Sequence, residues 1–196
     1  MSDDPKIYAV SQEGALRQGE LLSGLNEFQP TSDEADRQRQ VKLDCVVHPY
    51  AMVLSQTCDL EQDFLVREKQ RVDEPVSGQA KLLPCILFCD VFRASELRDQ
   101  EDIKSDIWKR VKANKDERYQ FLSAVPASED SMGEGLEELG LDFKRYFALP
   151  TAEVYLQLRL QGGTARRCHL LNPYLEHLST RFSYYQFRVA LPKDHS

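Results

Sequence analysis

The sequence predicts an α+β protein, a small and strongly curved antiparallel sheet with one helix inserted near residues 95–114 and a second packed across it near 172–189. Three observations carry this. Short apolar runs bounded by turn residues recur along most of the chain, as strands do. Between them Ile103, Ile107 and Val111 return every four residues, with Asp99, Glu101 and Asp102 early and Lys109, Arg110 and Lys112 late, an amphipathic helix whose charges suit its dipole. Near the end Leu175, Leu178, Phe182, Tyr185 and Val189 follow at spacings of three and four, one apolar stripe for the sheet to cover.

Taken in order, Gln18-Gly19-Glu20-Leu21-Leu22 reads as the first strand, and residues 29–40 as a polar loop without apolar period. Val41 to Val47 and Tyr50 to Leu54 read as strand material interrupted at His48-Pro49, because proline cannot donate to a central ladder; the two pieces form one bent strand or a loop entering a strand. Residues 66–80 read as a loop or insertion. Leu82 to Phe92 is the most apolar run and is expected to cross the centre of the sheet. Tyr119 to Val125 reads as a strand, and the acidic, glycine-containing residues 126–140 as a loop or a short frayed helix. Leu141 to Leu149 and Val154 to Leu160 read as two further strands. The second is expected to turn through Gln161-Gly162-Gly163-Thr164 into Arg166 to Leu171 as a hairpin. Asn172 as N-cap and Pro173 at the first helical position open the last helix.

The 196 residues are expected to form one domain with a core of its own. A net charge of -7 argues against broad coating of nucleic acid or anionic membrane. The longest apolar stretch, around Leu82 to Phe88, contains a proline and falls far short of the roughly 20 residues a spanning helix needs. The opening Met-Ser-Asp-Asp-Pro-Lys lacks a signal-peptide pattern, so a cytoplasmic location without membrane contact is expected. The cysteines, Cys45, Cys58, Cys85, Cys89 and Cys168, are odd in number and scattered, which fits reduced thiols. Cys85 and Cys89 lie too far apart along an extended strand to share a zinc ion and read as core thiols.

The densest chemistry lies where the strand ending at Leu54 runs into Ser55-Gln56-Thr57-Cys58-Asp59, consecutive groups able to hydrogen-bond, ionise or ligate. Such a run is either a hydrogen-bonded corner with an Asx turn or a site. His48 can add an imidazole to the same mouth. On the last helix His177 and Arg181 stand one turn apart, spaced to contact a phosphate or carboxylate together, with Arg188 beyond; a solvated face balanced by Glu176 is the plainer reading. Lys109, Arg110, Lys112, Lys115 and Arg118 interleave with Trp108 and Tyr119, a pattern that binds single strands but that a solvated helix explains more simply.

Two segments, Gln18-Gly19-Glu20-Leu21-Leu22 and His48-Pro49-Tyr50-Ala51-Met52-Val53-Leu54-Ser55, resemble the opening of the MazF/PemK toxin superfamily, whose barrels begin with a glycine-led strand and continue with an Arg-Pro-apolar strand ending in serine. The resemblance implies an SH3-like β-barrel, a groove that cuts single-stranded RNA without metal, and a habit of dimerising and binding a partner chain. Two positions depart from that pattern. His48 stands where the family has arginine, removing the fixed cation expected to stabilise a pentavalent phosphate. Leu82 to Phe92 offers Cys85, Cys89 and Asp90 where a catalytic serine or threonine is expected.

The expected function is a non-enzymatic protein-interaction or regulatory module of a bacterial cytoplasm, from a toxin or phage-defence locus, with a protein partner, homodimer formation and no cofactor or metal. Phe182, Tyr184, Tyr185 and Phe187 crowd the last helix beyond what one buried stripe consumes, and surplus aromatics suit an interface. Its expected binding residues are Gln56, Thr57, Cys58, His177, Arg181, Tyr184, Phe187 and Arg188. The alternative is a metal-independent ribonuclease or local single-stranded RNA binder, with His48 as acid-base residue, Arg181 as phosphate clamp, Ser55 and Asp59 as orienting groups, and His177 beside them. A second alternative is a thiol or metal centre at Cys58.

Overall fold

The computed structural model describes residues 6–30, 43–72, 78–160 and 163–187. Strands β1 (Tyr8–Val10), β2 (Glu20–Pro30), β3 (Leu43–Val53), β4 (Cys85–Arg93), β5 (Tyr119–Leu122), β6 (Leu139–Pro150) and β7 (Ala165–Leu170) form one seven-stranded sheet in the order β1-β7-β2-β3-β4-β6-β5. Every pairing is antiparallel. The helices are α1 (Thr57–Arg71), α2 (Ala94–Arg98), α3 (Ser105–Lys112), α4 (Thr151–Arg159) and α5 (Tyr174–Gln186). The class is α+β as expected, but the sheet does not close into the barrel that the resemblance implied, and β1 and β5 remain its edges.

The sheet nevertheless curls until those edges meet through side chains. Tyr8 Oη donates to the Ser123 carbonyl at 2.6 Å, just past β5. Residues 123–136 then lie beside β1 and β7. Arg167 on β7 donates through Nε and Nη2 to both oxygens of Asp130, at 2.8 and 2.7 Å. Asp130 also accepts from the backbone N–H groups of Met132, Glu134 and Gly135. Residues 126–138 are thus a loop with fixed internal bonding, closed by a bridge between Val125 and Leu136, whereas Leu139 and Gly140 of the expected loop already belong to β6.

Each sheet face carries its own core. On one, Leu21, Met52, Cys89, Phe143 and Cys168 meet Leu178 of α5, with Leu175, Phe182 and Tyr185 packed around them. On the other, Leu22, Leu25, Ala51, Val53, Ile86 and Phe88 meet Leu60 of α1 and Val154 and Tyr155 of α4. A smaller cluster of Leu97, Ile103, Val111 and Tyr119 holds α2 and α3. There the missing side chain of Gly140 matters, because a Cβ would stand 2.4 Å from Leu97 Cδ2.

Several expectations need correction. A strand, β1, precedes the one expected to come first, and β2 takes in Gln29 and Pro30; the rest of 29–40, like Val41, lies outside the described residues. Residues 66–71 belong to α1; its buried positions are Leu60, Asp63 and Val66, so a charge interrupts the apolar stripe that marks a helix. The segment 95–114 is two helices rather than one. Val154 to Leu160 is helical: Leu156, Leu158 and Leu160 mimic strand alternation, yet Pro150 ends β6 and the buried positions Thr151, Val154 and Tyr155 follow helical spacing. The hairpin to β7 is therefore a helix-to-strand connection. Pro173 sits at the N-cap of α5, so the helix starts one residue later than expected, and Val189 lies outside the described residues. Leu82–Phe92 and the last helix stand close to where the sequence put them.

Candidate functional site

His48 and Pro49 lie inside the continuous strand β3, opposite β2. The register of that pair is kept on both sides of Gly24 and Pro49, yet the side-chain alternation breaks there: Leu22 and Leu25, three apart, share one core, and their partners Ala51 and His48 lie on that same side, His48 against Phe147. Gly24 adopts φ +69°, a conformation that side chains rarely take, and a Cβ there would stand 3.2 Å from the Gly163 carbonyl oxygen. Both strands thus kink together and exchange faces. Proline is tolerated at this point because β3 pairs with β4 only from Tyr50↔Val91 onward.

The exchange swings His48 onto the face of Phe88 and Asp90. Its Nδ1 lies 2.6 Å from Asp90 Oδ1 on β4, and its Nε2 lies 3.1 Å from Glu27 Oε2 on β2. The ring stacks on Phe147 of β6 at 3.9 Å between centroids and 9° between planes, and only 7% of the residue is exposed. Burial opposes charge on the ring, but hydrogen bonding and attraction first from Asp90 and then from Glu27 outweigh it, so the pKa rises above the ordinary 6.5. The charged ring donates to both carboxylates at once. In that state neither nitrogen has a lone pair to offer, so the geometry suits a clamp among β2, β3 and β4 better than a general base.

Beyond the clamp, β3 and β4 splay apart over a groove of about 390 Å³ floored by His48, Asp90 and Phe147 and flanked by Phe92, Arg145 and Tyr146. Arg145 stacks its guanidinium over Phe92 at 5.3 Å. Past the same point β2 and β3 continue as a two-stranded arm, in unbroken register from Leu25↔His48 to Pro30↔Leu43. Alternation gives the arm two unlike faces. One carries Glu27, Gln29, Asp44, Val46 and His48. The other carries Phe28, Leu43, Cys45 and Val47, with Phe28 54%, Leu43 62% and Val47 57% exposed. Cys45 Sγ lies 3.5 Å from Asn26 Oδ1, which fixes both on this second face.

The arm's two edges differ. At Asn26 on β2, Gln157 of α4 accepts from the backbone N–H at 2.9 Å and donates to the carbonyl at 2.8 Å, as a neighbouring strand would. Thr164 Oγ1 donates to the Gly24 carbonyl at 3.0 Å. On β3, Leu43 to His48 have strand partners on the β2 side alone among the described residues.

The run from Ser55 to Asp59 forms the corner between β3 and α1. Ser55 Oγ accepts from the Leu87 N–H at 2.9 Å, and Thr57 Oγ1 accepts from the Gln18 N–H at 3.1 Å. Gln56 is the exposed N-cap, and Cys58 and Asp59 are exposed in the first turn, with Cys58 Sγ 3.7 Å from Gln56 Oε1 and from Asp59 Oδ1. Among the described residues no cluster of three His, Cys, Asp or Glu side chains is arranged to hold a metal ion. Of the two expected core thiols, Cys89 is buried and Cys85 is exposed at the start of β4.

The structure does not bring the ribonuclease set together. His48 stands about 17 Å along β3 from Val53, by the ordinary strand rise. His177 and Arg181 belong to α5, which covers the opposite face of the sheet. Arg181 donates to the carbonyls of Asn114, Asp116 and Tyr119, tying α5 to the start of β5. His177 is exposed, and partial burial and then Arg181 push its pKa down. Tyr184 is exposed and Phe187 is 81% exposed, whereas Phe182 and Tyr185 pack on Phe143. Arg188 lies outside the described residues. In the basic cluster Arg118 makes a two-pronged pair with the buried Asp142, and Arg110 and Lys112 pair with Asp116 and Glu138.

Compared with known proteins, the chain matches no family model, no curated protein and no solved structure. Glu27, Asp90, Phe147 and the arm were not among the residues expected to form a site. Asp90 did carry a signal, since a lone carboxylate inside an apolar strand needs a partner.

Proposed function

We propose that this chain is a protein-docking module without turnover of its own, and that the β2–β3 arm is the surface it presents. The observation that carries this reading is the arm's apolar face, Phe28, Leu43 and Val47, exposed beside a strand edge that has no pairing partner among the described residues. Contiguous exposed apolar surface beside an open edge is what a partner strand covers, its main chain supplying affinity and its side chains specificity. The His48 clamp adds rigidity, because it fixes the base of the arm to β4 and β6 and reduces the ordering cost of docking.

Affinity capture with the full chain as bait, alongside a Phe28→Asp variant of unchanged thermal stability, tests the reading. The expected result is a stoichiometric protein retained by the wild type and lost from the variant. Equal retention by both removes the arm from the function, and multiple turnover of a substrate by the purified chain removes the non-enzymatic reading.

A further inference from the structure

We infer that the partner of the arm is a second copy of this chain, joined by antiparallel pairing of the two β3 edges about a two-fold axis at Cys45. The inference rests on the reading of the arm as a docking surface and names its occupant. On β2's side of the arm Gln157 takes the main chain at Asn26 and Pro30 has no N–H to give, so β3 from Leu43 to His48 is the longer edge left to pair among the described residues. Two antiparallel edges related by a two-fold axis place like residues in mirrored order, so the sequence of the edge decides whether self-pairing is complementary.

Of the two-fold axes that keep the two faces of the arm in phase, three centre on the middle of this edge. An axis at Asp44 sets carboxylate against carboxylate, which repels. An axis at Val46 draws Pro49 into the ladder, where it has no N–H to give, and sets Asp44 against a His48 ring already held by Glu27 and Asp90. An axis at Cys45 sets Leu43 of each copy against Val47 of the other and Asp44 against Val46, with no like charges opposed. Phe28, which pairs with Cys45 across the arm, then flanks the axis on both sides and completes one apolar surface. In this register the edge is complementary to its own copy.

Charge supplies an independent mark. Each copy carries -7, so long-range repulsion opposes association and salt relieves it. Self-pairing strengthens as sodium chloride is raised, whereas docking of a basic peptide on the same arm weakens.

The test is sedimentation equilibrium of the full chain over the micromolar range at low and high sodium chloride, with copper-phenanthroline oxidation as a positional readout. The expected result is a salt-strengthened dimer that Val47→Arg turns monomeric at unchanged thermal stability. Oxidation is expected to link it through Cys45, with Cys45→Ser abolishing the link although Cys58 and Cys85 are also exposed. A dimer indifferent to Val47→Arg, or linked through Cys58 or Cys85, overturns the inference, and a Val47-dependent dimer that Cys45 does not link overturns the axis. A monomer that captures a different protein through the arm overturns self-pairing but leaves the docking reading standing. A monomer whose arm variants change no capture overturns both.

Discussion

At the scale of single residues, buried charges here act as joints. Asp63 is fully buried on α1, where it accepts from Arg67 Nε at 2.8 Å and from the Leu83 N–H at 2.8 Å, linking the helix to the segment before β4. Asp63→Ala leaves both donors without their acceptor and is expected to cost about 3 kcal/mol in urea unfolding, within the range for breaking a buried pair. An unchanged midpoint would show that water replaces the carboxylate. His48 gives a pH signature of defined sign. Its folded pKa is raised, so its contribution is fully present below the unfolded value near 6.5 and fades as pH climbs through the folded value. Thermal unfolding from about pH 5 to about pH 9 should show this alkaline loss in the wild type and a flatter profile in His48→Gln. Identical profiles would exclude the clamp as a source of stability. The sequence singled out His48 but not its partners, because Glu27 and Asp90 stand 21 and 42 positions away and meet it only when strands pair. The corner at Ser55 to Asp59 was legible as a place of dense hydrogen bonding, since its meaning lies in neighbouring residues.

At the scale of elements, legibility followed how cleanly burial matched periodicity. β4 and α5 were readable because an apolar run and a stripe anchored by the fully buried Leu178 leave little choice. Leu178→Ala is expected to destabilise by about 2–5 kcal/mol, the usual cost of a core truncation. α1 was hidden by Asp63 inside its buried stripe, and α4 by leucines spaced two apart on a helix whose buried residues are three and four apart. The 123–136 segment shows the opposite case, a polar stretch fixed by one carboxylate. Bonding from Arg167 outweighs burial and, with the N–H groups of Met132 and Gly135, holds Asp130 below its ordinary 3.8. Its contribution is therefore present above that value and lost as pH falls through the lowered one, at the acid end rather than the alkaline end. Asp130→Asn should remove this acid limb and speed hydrogen exchange in residues 123–136. Unaltered exchange there would mean that the Val125–Leu136 bridge suffices.

At the scale of the whole molecule, the first and last strands in the sheet order are held together without a hydrogen-bonded ladder. The Tyr8–Ser123 bond joins β1 to the end of β5 across the gap, and the Asp130–Arg167 pair ties the loop after β5 to β7, the neighbour of β1. Tyr8→Phe keeps the ring in the core and removes only the donor, for an expected loss of about 1 kcal/mol. Hydrogen exchange should then quicken in β1 and β5 together if the curl is cooperative, and in β1 alone if it is not. None of this was written in any one stretch of sequence, because curvature arises from pairings between distant strands, and short strand signals do not say how far a sheet rolls. The side-chain amide of Gln157 has a last consequence at this scale. By taking up the main chain at Asn26 it blunts one rim of the arm, as a side chain guarding a sheet edge does, and leaves the β3 rim as the arm's longer run of open main-chain groups among the described residues.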